Sequence, residues 1–170
     1  MNLLDIRNLS IELIHDEENI LAVDKVSLSM KEGEVRGLVG ESGSGKSLLA
    51  QAIVAVLDDK WHVHADRFHW RGIDLLRLSM PERKAILSRD VAMIFQEPMA
   101  CLDPTTTVGE QLAEAIDESQ LSGFFWQKQQ QRRSAVIKLL HKVGIKKHSE
   151  CIKSYPHQLT EALCQRVMIA

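Results

Sequence analysis

The segment from residue 40 to residue 47 constrains this chain more than any other part of its sequence. It reads Gly40-Glu41-Ser42-Gly43-Ser44-Gly45-Lys46-Ser47, which matches the spacing G-x-x-x-x-G-K-[ST] without a gap. Glycines let such a loop curl until its backbone N–H groups converge on a phosphate group. An apolar run precedes the loop and a helical pattern follows it, as the motif requires. The pattern predicts a nucleotide-binding loop, and a chance match in a turn rich in glycine and serine is the alternative.

Two residues of this loop have side chains suited to a bound nucleotide. Lys46 is expected to reach the β- and γ-phosphates of ATP, and the hydroxyl of Ser47 is expected to bind Mg²⁺. A helix that starts near Lys46 adds the positive end of its dipole. We therefore predict ATP and Mg²⁺ as cofactors, bound by a segment that extends from Gly40 to Leu48.

Composition is typical of a globular protein. The 170 residues, 45% of them hydrophobic and 26% charged, suffice for a domain with a core. The net charge of -2 gives no general attraction to nucleic acid or anionic lipid, although a local basic patch stays open. No apolar stretch approaches the roughly 18 residues of a membrane-spanning helix, and we expect no signal peptide. Three cysteines without a CxxC pair fit free thiols in a reducing cytoplasm, used for packing.

Hydrophobic spacing predicts a small sheet at the start of the chain. Val26, Leu28 and Met30 show the two-residue period of a half-buried strand, and residues 3–7 and 10–14 are strand-like as well. Residues 1–30 therefore indicate a small antiparallel sheet with a polar turn at residues 16–19. Residues 35–39 form a short apolar strand before the loop, and residues 91–95 are a continuous apolar run suited to a buried parallel strand.

Helical spacing dominates the second half of the chain. It starts at Val108 and stops at Gly144, a residue that favours helix ends. We predict an α/β fold in two domains. Residues 1–98 hold an N-terminal β subdomain and the phosphate-loop α/β core, and residues 99–170 hold the end of a glutamine loop and a helical subdomain.

A glutamine follows the second apolar run directly. Gln96 carries a neutral amide that can donate to an attacking water or coordinate Mg²⁺, and it can move without the cost of moving a charge. We predict a catalytic and metal-binding role for Gln96 beside that of Lys46. In isolation, a glutamine at the end of a strand would have no role.

Further stretches resemble the ABC ATPases, and within them the dipeptide and oligopeptide importer group with its branch linked to antimicrobial peptide resistance. The most specific are Met93-Ile94-Phe95-Gln96-Glu97-Pro98-Met99, Leu102-Asp103-Pro104 and Val108-Gly109-Glu110-Gln111-Leu112. Residues 22–27, 72–76, 82–84 and 155–159 are similar to that group as well. The resemblance covers essentially the whole chain and implies a P-loop NTPase fold of the ABC ATPase type.

The resemblance also implies partners and a cycle. ABC ATPases pair head to tail, and each ATP lies between one subunit's phosphate loop and the other's signature motif. Closure and hydrolysis move two transmembrane permease subunits between inward- and outward-facing states, and a periplasmic binding protein takes part indirectly. Residues 96–104 are the candidate surface that couples the ATPase to its membrane partner. The implied location is peripheral, at the cytoplasmic face of the inner membrane, with no nucleic acid partner.

The signature motif departs from the family pattern Leu-Ser-Gly-Gly-x-x-Gln. Here it reads Leu159-Thr160-Glu161-Ala162-Leu163-Cys164-Gln165, so Thr160 keeps a hydroxyl and both glycines are replaced. Glu161 brings a carboxylate towards the partner's γ-phosphate, and two like charges about 4 Å apart repel by about 1 kcal/mol in water and about 4 kcal/mol near a protein surface. We expect an asymmetric dimer in which a different subunit with a more typical signature completes this chain's phosphate loop. A degenerate signature that still works is the alternative.

Two further departures concern the base and the end of the sequence. Leu13 corresponds to the aromatic residue that stacks on adenine in the family, so we expect base binding without ring stacking. The sequence stops in a helical pattern, before the Asp-Glu strand and the switch histidine of the family. Neither residues 16–17 nor residues 117–118 replace that pair. We predict a fold incomplete at its C-terminus that binds ATP and hydrolyses it poorly.

Three clusters outside these motifs have alternative interpretations. His62, His64 and His69 suggest a metal site, but no carboxylate or cysteine completes the set. Phe124-Phe125-Trp126, followed by basic residues, is expected to be a helix start packed on the helical subdomain, and contact with a membrane subunit or lipid headgroups is the alternative. Trp61 and Trp70 are expected to pack in the core or at its edge.

Several functions compete on this evidence. An ATPase subunit of a peptide importer is the leading one. A non-catalytic nucleotide-binding regulator, or an inactive fragment of such an ATPase, is the second. A soluble ABC-type protein acting on DNA or ribosomes usually needs long insertions or tandem ATPase units, which this sequence does not show. A P-loop kinase fits less well, because the residues after Phe95 resemble the glutamine loop.

Overall fold

The computed structural model describes residues 2–14 and 19–170. The chain divides into two compact units, Met1–Met93 and Ile94–Ala170. The polar turn predicted at residues 16–19 lies outside the described residues, except for Asn19, and so does the pair at residues 16–17.

The first unit is built on a five-stranded antiparallel sheet. Its central strand is β1 (Asn2–Leu13), and β2 (Ile20–Lys31) pairs along one edge of it. On the other edge, β3 (Trp61–His64) pairs with the end of β1 and β4 (Arg67–Trp70) with its start, while β5 (Ile73–Asp74) pairs with β4. The predicted N-terminal antiparallel sheet is confirmed.

Strand β1 changes phase at Asn8. Its buried side chains are Leu4, Ile6, Leu9 and Ile11, so the inward-facing positions switch from even to odd numbers. Such a switch requires an irregular residue in the ladder, because side chains alternate strictly along a regular strand. Asn8 supplies it with a φ of 49°, and its N–H donates to the hydroxyl of Ser27 at 2.9 Å.

Two helices cover one face of this sheet. Leu49 and Ala52 of α1 (Lys46–Ile53) and Leu87 of α2 (Met80–Asp90) share a single core cluster with the buried strand residues. Trp70 belongs to the same cluster, and its indole N–H donates to the Asp90 carboxylate at 2.9 Å. A short 3₁₀ turn, Leu75–Arg77, precedes α2. The expectation of core packing is confirmed for Trp70 and for the half-buried Trp61.

The two apolar runs expected to be strands are not strands. Residues 35–39 and 91–95 have no regular secondary structure, and the Val35 and Val39 side chains are 98% and 91% exposed. A parallel strand is stable when neighbouring strands satisfy its backbone and cover both of its faces. The sheet formed by the described residues is antiparallel throughout and pairs with neither run. Both strand predictions were therefore wrong, because they were based on apolar composition alone.

The second unit is helical, as the spacing after Val108 predicts. Its helices are α3 (Pro98–Cys101), α4 (Val108–Glu114), α5 (Phe125–Lys142), α6 (His148–Lys153) and α7 (Glu161–Ile169), with 3₁₀ turns at Glu118–Gln120 and Pro156–Gln158. Val108 and Leu112 of α4 pack with Val136 and Leu140 of α5 in the core. Gly144 has a φ of 76°, and its N–H donates to the His141 carbonyl at 3.0 Å, so the predicted helix stop is confirmed.

The aromatic cluster at the start of α5 is not packed in the core. The side chains of Phe124, Phe125 and Trp126 are 82%, 70% and 80% exposed. The helix does begin at this cluster, as expected. The packing expectation is wrong because residues 124–126 precede the part of α5, around Val136 and Leu140, that contacts the other helices of this unit.

Cysteines and histidines divide between buried and exposed positions. Cys151 and Cys164 are buried, and burial raises the pKa of each thiol, which agrees with a packing role, whereas Cys101 is exposed. The His62 and His64 rings lie 6.4 Å apart on β3. Within residues 2–14 and 19–170, no group of three or more histidine, cysteine or acidic side chains could hold a metal ion. In the same range, no helix has the length and apolarity needed to cross a membrane.

Gly109 lies where α4 meets α6. A Cβ at this position would be 2.5 Å from Ile152 Cγ2 and 2.8 Å from the Ile152 carbonyl oxygen. We predict that Gly109→Ala destabilises the second unit by about 1–3 kcal/mol, because backbone must move to admit the methyl group. Thermal unfolding followed by circular dichroism measures the loss. Gly37→Ala is the control, since no described heavy atom lies within 4 Å of its added Cβ. Equal melting temperatures for the two variants would contradict the close contact.

Candidate nucleotide-binding site

The predicted phosphate loop closes on itself and leads directly into α1. The Ser44 N–H donates to the Glu41 carbonyl at 3.2 Å, which closes a tight turn. Gly43 and Gly45 have φ values of 80° and 84°, in the left-handed region that residues with a Cβ adopt at a cost. Gly45 is the N-cap of α1, so the loop delivers the chain to the helix N-terminus.

Lys46 places its ammonium group across this loop. Its Nζ donates to the carbonyl oxygens of Gly40 at 2.9 Å and Glu41 at 2.5 Å, and lies 3.2 Å from the Ser44 hydroxyl. The first N–H groups of an α-helix have no partner within the helix, and the helix dipole adds positive potential there. The first turn of α1 contains no acidic side chain to neutralise that potential. The loop therefore combines a cation and backbone donors, which is the chemistry that binds an anion.

The loop is held against strand β2 by Gly45. A Cβ on Gly45 would lie 2.7 Å from Val23 Cγ2 and 3.0 Å from the Ala22 carbonyl oxygen. Glycine is therefore required here for close approach as well as for its φ angle. The motif contains this glycine, but its contact with β2 could not be derived from spacing along the chain.

The remaining loop residues lie in the expected places. Ser47 is exposed in the first turn of α1, whereas Leu48 is half-buried and packs against the core of the first unit. Ser42 is exposed at the turn. The Lys46 ammonium group thus contacts Gly40, Glu41 and Ser44 of this segment, and Leu48 packs against the core at its other end.

Leu13 lies at the end of β1. It is half-buried and pairs with Ile20 on one side and with Trp61 on the other. An aromatic side chain therefore stands directly across the ladder from the residue assigned to the adenine base. Sequence reasoning did not connect Trp61 with Leu13, because a pairing over so long a separation leaves no local signal.

Gln96 belongs to the second unit and is exposed just before α3. Further along the chain, residues 103–106 are held by Gln111 of α4. The Gln111 amide accepts from the Asp103 N–H at 3.0 Å and donates to the carbonyls of Asp103 at 2.9 Å and Thr106 at 3.1 Å. Bonds from the Thr105 hydroxyl and N–H lower the pKa of Asp103. Gln111 is therefore a positioning residue. Its place in the family motif did not reveal this role.

The four signature residues form one exposed surface at the N-terminus of α7. Thr160 is the N-cap, and its hydroxyl accepts from the Leu163 N–H at 3.4 Å. Glu161, Ala162 and Gln165 are exposed, while Cys164 and Val167 point into the core. The sequence-predicted set is brought together with its side chains towards solvent.

Glu161 has a structural role as well. An acidic side chain in the first turn of a helix is stabilised by the helix dipole, and Glu161 is the first residue of α7. Burial, followed by the Glu161 charge, raises the pKa of Cys164 one turn later. The carboxylate therefore contributes to helix formation at the position where the family pattern has glycine.

Comparison with known proteins identifies the family. The family model described as ABC transporter matches residues 23–170. The chain belongs to the ABC transporter family.

Individual relatives agree with this assignment. The peptide transport system ATP-binding protein SapD of Escherichia coli O157:H7 is 54% identical over 170 residues, which cover all of this chain and 52% of that protein. SapD of Haemophilus influenzae is 45% identical and is covered to 49%. The dipeptide transport ATP-binding protein DppD of Escherichia coli strain K12 is 43% identical and is covered to 50%. The chain spans about half the length of these curated relatives, and the resemblance to the peptide importer group and its Sap-type branch is confirmed.

Solved structures confirm the fold. The dimeric structure of MJ0796, a bacterial ABC transporter cassette, matches with a TM-score of 0.72 at 25% identity, over 98% of this chain and 67% of that chain. A dimeric post-hydrolysis state of the same ATP-binding cassette, bound to ADP and Pi, matches with a TM-score of 0.71 over the same shares. The predicted P-loop fold of the ABC ATPase type is therefore correct.

Two glycines of the loop allow the contact with β2 to be tested. Gly45→Ala should destabilise the first unit clearly more than Gly43→Ala does. Both substitutions place a Cβ on a left-handed residue, at about 1–2 kcal/mol, but only at Gly45 does the Cβ meet Val23 and the Ala22 carbonyl. Urea unfolding of the two variants measures the difference. Equal losses of unfolding free energy would show that the loop does not depend on its packing against β2.

Proposed function

We propose that this chain is the nucleotide-binding part of an ATPase subunit that powers peptide import through an ABC transporter. One observation carries the proposal: the Lys46 ammonium group and the N-terminus of α1 converge on the inside of a loop whose turns require glycine. The 54% identity to SapD and the 43% identity to DppD support peptides as the cargo class.

The residues of the loop fit ATP with Mg²⁺. Lys46 and the unpaired backbone N–H groups at the N-terminus of α1 would hold the anionic phosphates, and the lack of an acidic side chain in the first turn of α1 supports this. The Ser47 hydroxyl would hold Mg²⁺, a hard cation that prefers oxygen ligands. Leu13 would offer apolar contact to the base. Bound ATP supplies the phosphoanhydride whose hydrolysis drives transport, and these side chains bind and orient it.

Transport requires partners. They are a second ATPase subunit, two transmembrane permease subunits and, indirectly, a periplasmic binding protein. Residues 96–104, which Gln111 contacts at Asp103, would contact the permease at the cytoplasmic face of the inner membrane. Gln111 supports that role, because a coupling surface transmits movement better when its backbone is held in one conformation.

A non-catalytic role in nucleotide binding is the second candidate, favoured by Glu161. The exposed Glu161 carboxylate at the N-terminus of α7 would repel a partner's phosphate that approached this segment as a signature motif. We infer an asymmetric pair, in which this chain's loop is completed by a more typical signature on a different subunit, and its own signature serves the weaker site.

Replacing Lys46 tests nucleotide binding directly. Lys46→Ala should weaken Mg²⁺–ATP binding more than about tenfold, because a charged hydrogen bond contributes about 1.5–3 kcal/mol. Isothermal titration calorimetry measures the affinity, with Lys60→Ala as the control for losing one exposed lysine outside the loop. Unchanged affinity in Lys46→Ala would refute the proposed function.

Turnover by the assembled transporter tests the asymmetric pair. The change of Glu161 and Ala162 to glycine should raise ATP hydrolysis, because it removes the like charge and restores the family backbone. Glu161→Gln separates the two effects, since it removes the charge alone and should give part of the gain. Phosphate release by the reconstituted complex is the measurement, and an unaltered rate in both variants would contradict the asymmetry.

A further inference from the structure

We propose that the start of α5 binds the surface of an anionic lipid bilayer. The aromatic tip, defined as Phe124, Phe125 and Trp126, is exposed on all three side chains. Contiguous exposed apolar surface of this kind marks a site of interaction with a protein or a membrane. The inference does not depend on nucleotide binding.

The tip is held in place by hydrogen bonds to α5. The Gln127 side-chain oxygen accepts from the Phe124 N–H at 3.0 Å, and the Gln131 amide exchanges two bonds of 3.0 Å with the backbone of Ser122. Gly123, with a φ of 94°, makes this possible, because a Cβ there would lie 2.0 Å from the Gln127 oxygen. The aromatic side chains are therefore presented to solvent by a defined local structure.

The arrangement of the three side chains favours a fluid partner over a rigid one. Neighbouring residues of a helix point about 100° apart, so Phe125 and Trp126 point in different directions around the helix axis, and Phe124 precedes the helix as its N-cap. The Phe125 and Trp126 rings meet edge to face at 5.6 Å. A helix that docks in a protein groove places its anchors three or four residues apart on one side. A lipid interface can surround a tip from all sides, and it is where tryptophan concentrates in membrane proteins.

Basic side chains follow the tip along α5. Lys128, Arg132 and Arg133 lie about 5–12 Å behind Phe125 along the axis, at a rise of about 1.5 Å per residue. The polar layer on each side of a bilayer is about 5–8 Å thick. An aromatic end followed by cations therefore matches the order of acyl chains and phosphate groups in one leaflet.

Charge is unevenly distributed along the chain, with positive charge concentrated at and after the tip. Residues 121–149 contain seven lysines and arginines and no aspartate or glutamate, although the whole chain has a net charge of -2. Acidic residues do precede the tip, namely Glu114, Asp117 and Glu118. Glu118 is ion-paired with Arg132, which reduces the contribution of that arginine. The positive potential at the tip therefore depends mainly on Lys128 and Arg133.

Vesicle binding by the purified full chain tests this inference. The probes are vesicles of about three parts phosphatidylcholine to one part phosphatidylglycerol, and vesicles of phosphatidylcholine alone. The chain should co-sediment with the anionic vesicles and bind the neutral ones more weakly. Brominated acyl chains should quench part of the tryptophan emission, and Trp126→Phe should abolish that part while keeping the apolar tip.

Variants assign the binding to the tip. Replacing all three aromatic residues by serine should lower vesicle affinity more than about tenfold, given the apolar area withdrawn. Arg133→Gln should lower it about fivefold at low salt. Ile94→Ser, which removes an exposed apolar side chain of the same unit away from the tip, should leave it unchanged. Circular dichroism confirms that each variant keeps its helical content.

Two outcomes would overturn the proposal. One is that the wild-type chain fails to bind anionic vesicles, or that the triple serine variant binds them equally well. The other is that the triple variant loses association with the permease subunits in detergent, while vesicle binding is unaffected. That result would assign the tip to a protein partner. Mg²⁺–ATP affinity, measured on the same triple variant, should equal that of the wild-type chain.

Discussion

The contact between Gly45 and strand β2 determines the arrangement of the candidate site. The glycine allows the Ala22 carbonyl and the Val23 side chain to approach the phosphate loop more closely than any residue with a Cβ would permit. Because Val23 also pairs with Ile11 in the middle of the sheet, the position of the loop is tied to the most buried strand of the unit. The position of the loop in turn determines the positions of the Lys46 ammonium group and of the first turn of α1.

Short-range chemistry was predictable from the sequence, whereas structure that depends on distant partners was not. The glycine–lysine spacing of the loop, the alternation at residues 26–30 of β2 and the stop at Gly144 are encoded in adjacent residues, and each appears in the structure. Residues 35–39 and 91–95 failed as strands because strand formation depends on neighbours that their own composition cannot specify. The exposed aromatic tip was mistaken for core, since an apolar cluster has the same composition in either setting.

The candidate site shows the same division. Its phosphate-binding segment is continuous, so spacing alone located it. The contribution of Gln111 depends on bonds to a loop several residues before it, and the pairing of Leu13 with Trp61 depends on sheet register. Glu161 combines both kinds of information: its departure from the family pattern is visible in the sequence, but its benefit to the start of α7 emerges from its place in the first turn of that helix.

Contacts made near the end of α7 influence the direction in which its first residues face. Arg166 donates to the carbonyl oxygens of Gly144 at 3.1 Å and Val143 at 3.5 Å, at the C-terminus of α5. A cation satisfies the last carbonyls of a helix and is stabilised by its dipole. Rotation of α7 about its axis would therefore require Arg166 to release those carbonyls. The direction in which Thr160 and Glu161 face is thus coupled, through Arg166, to the C-terminus of α5.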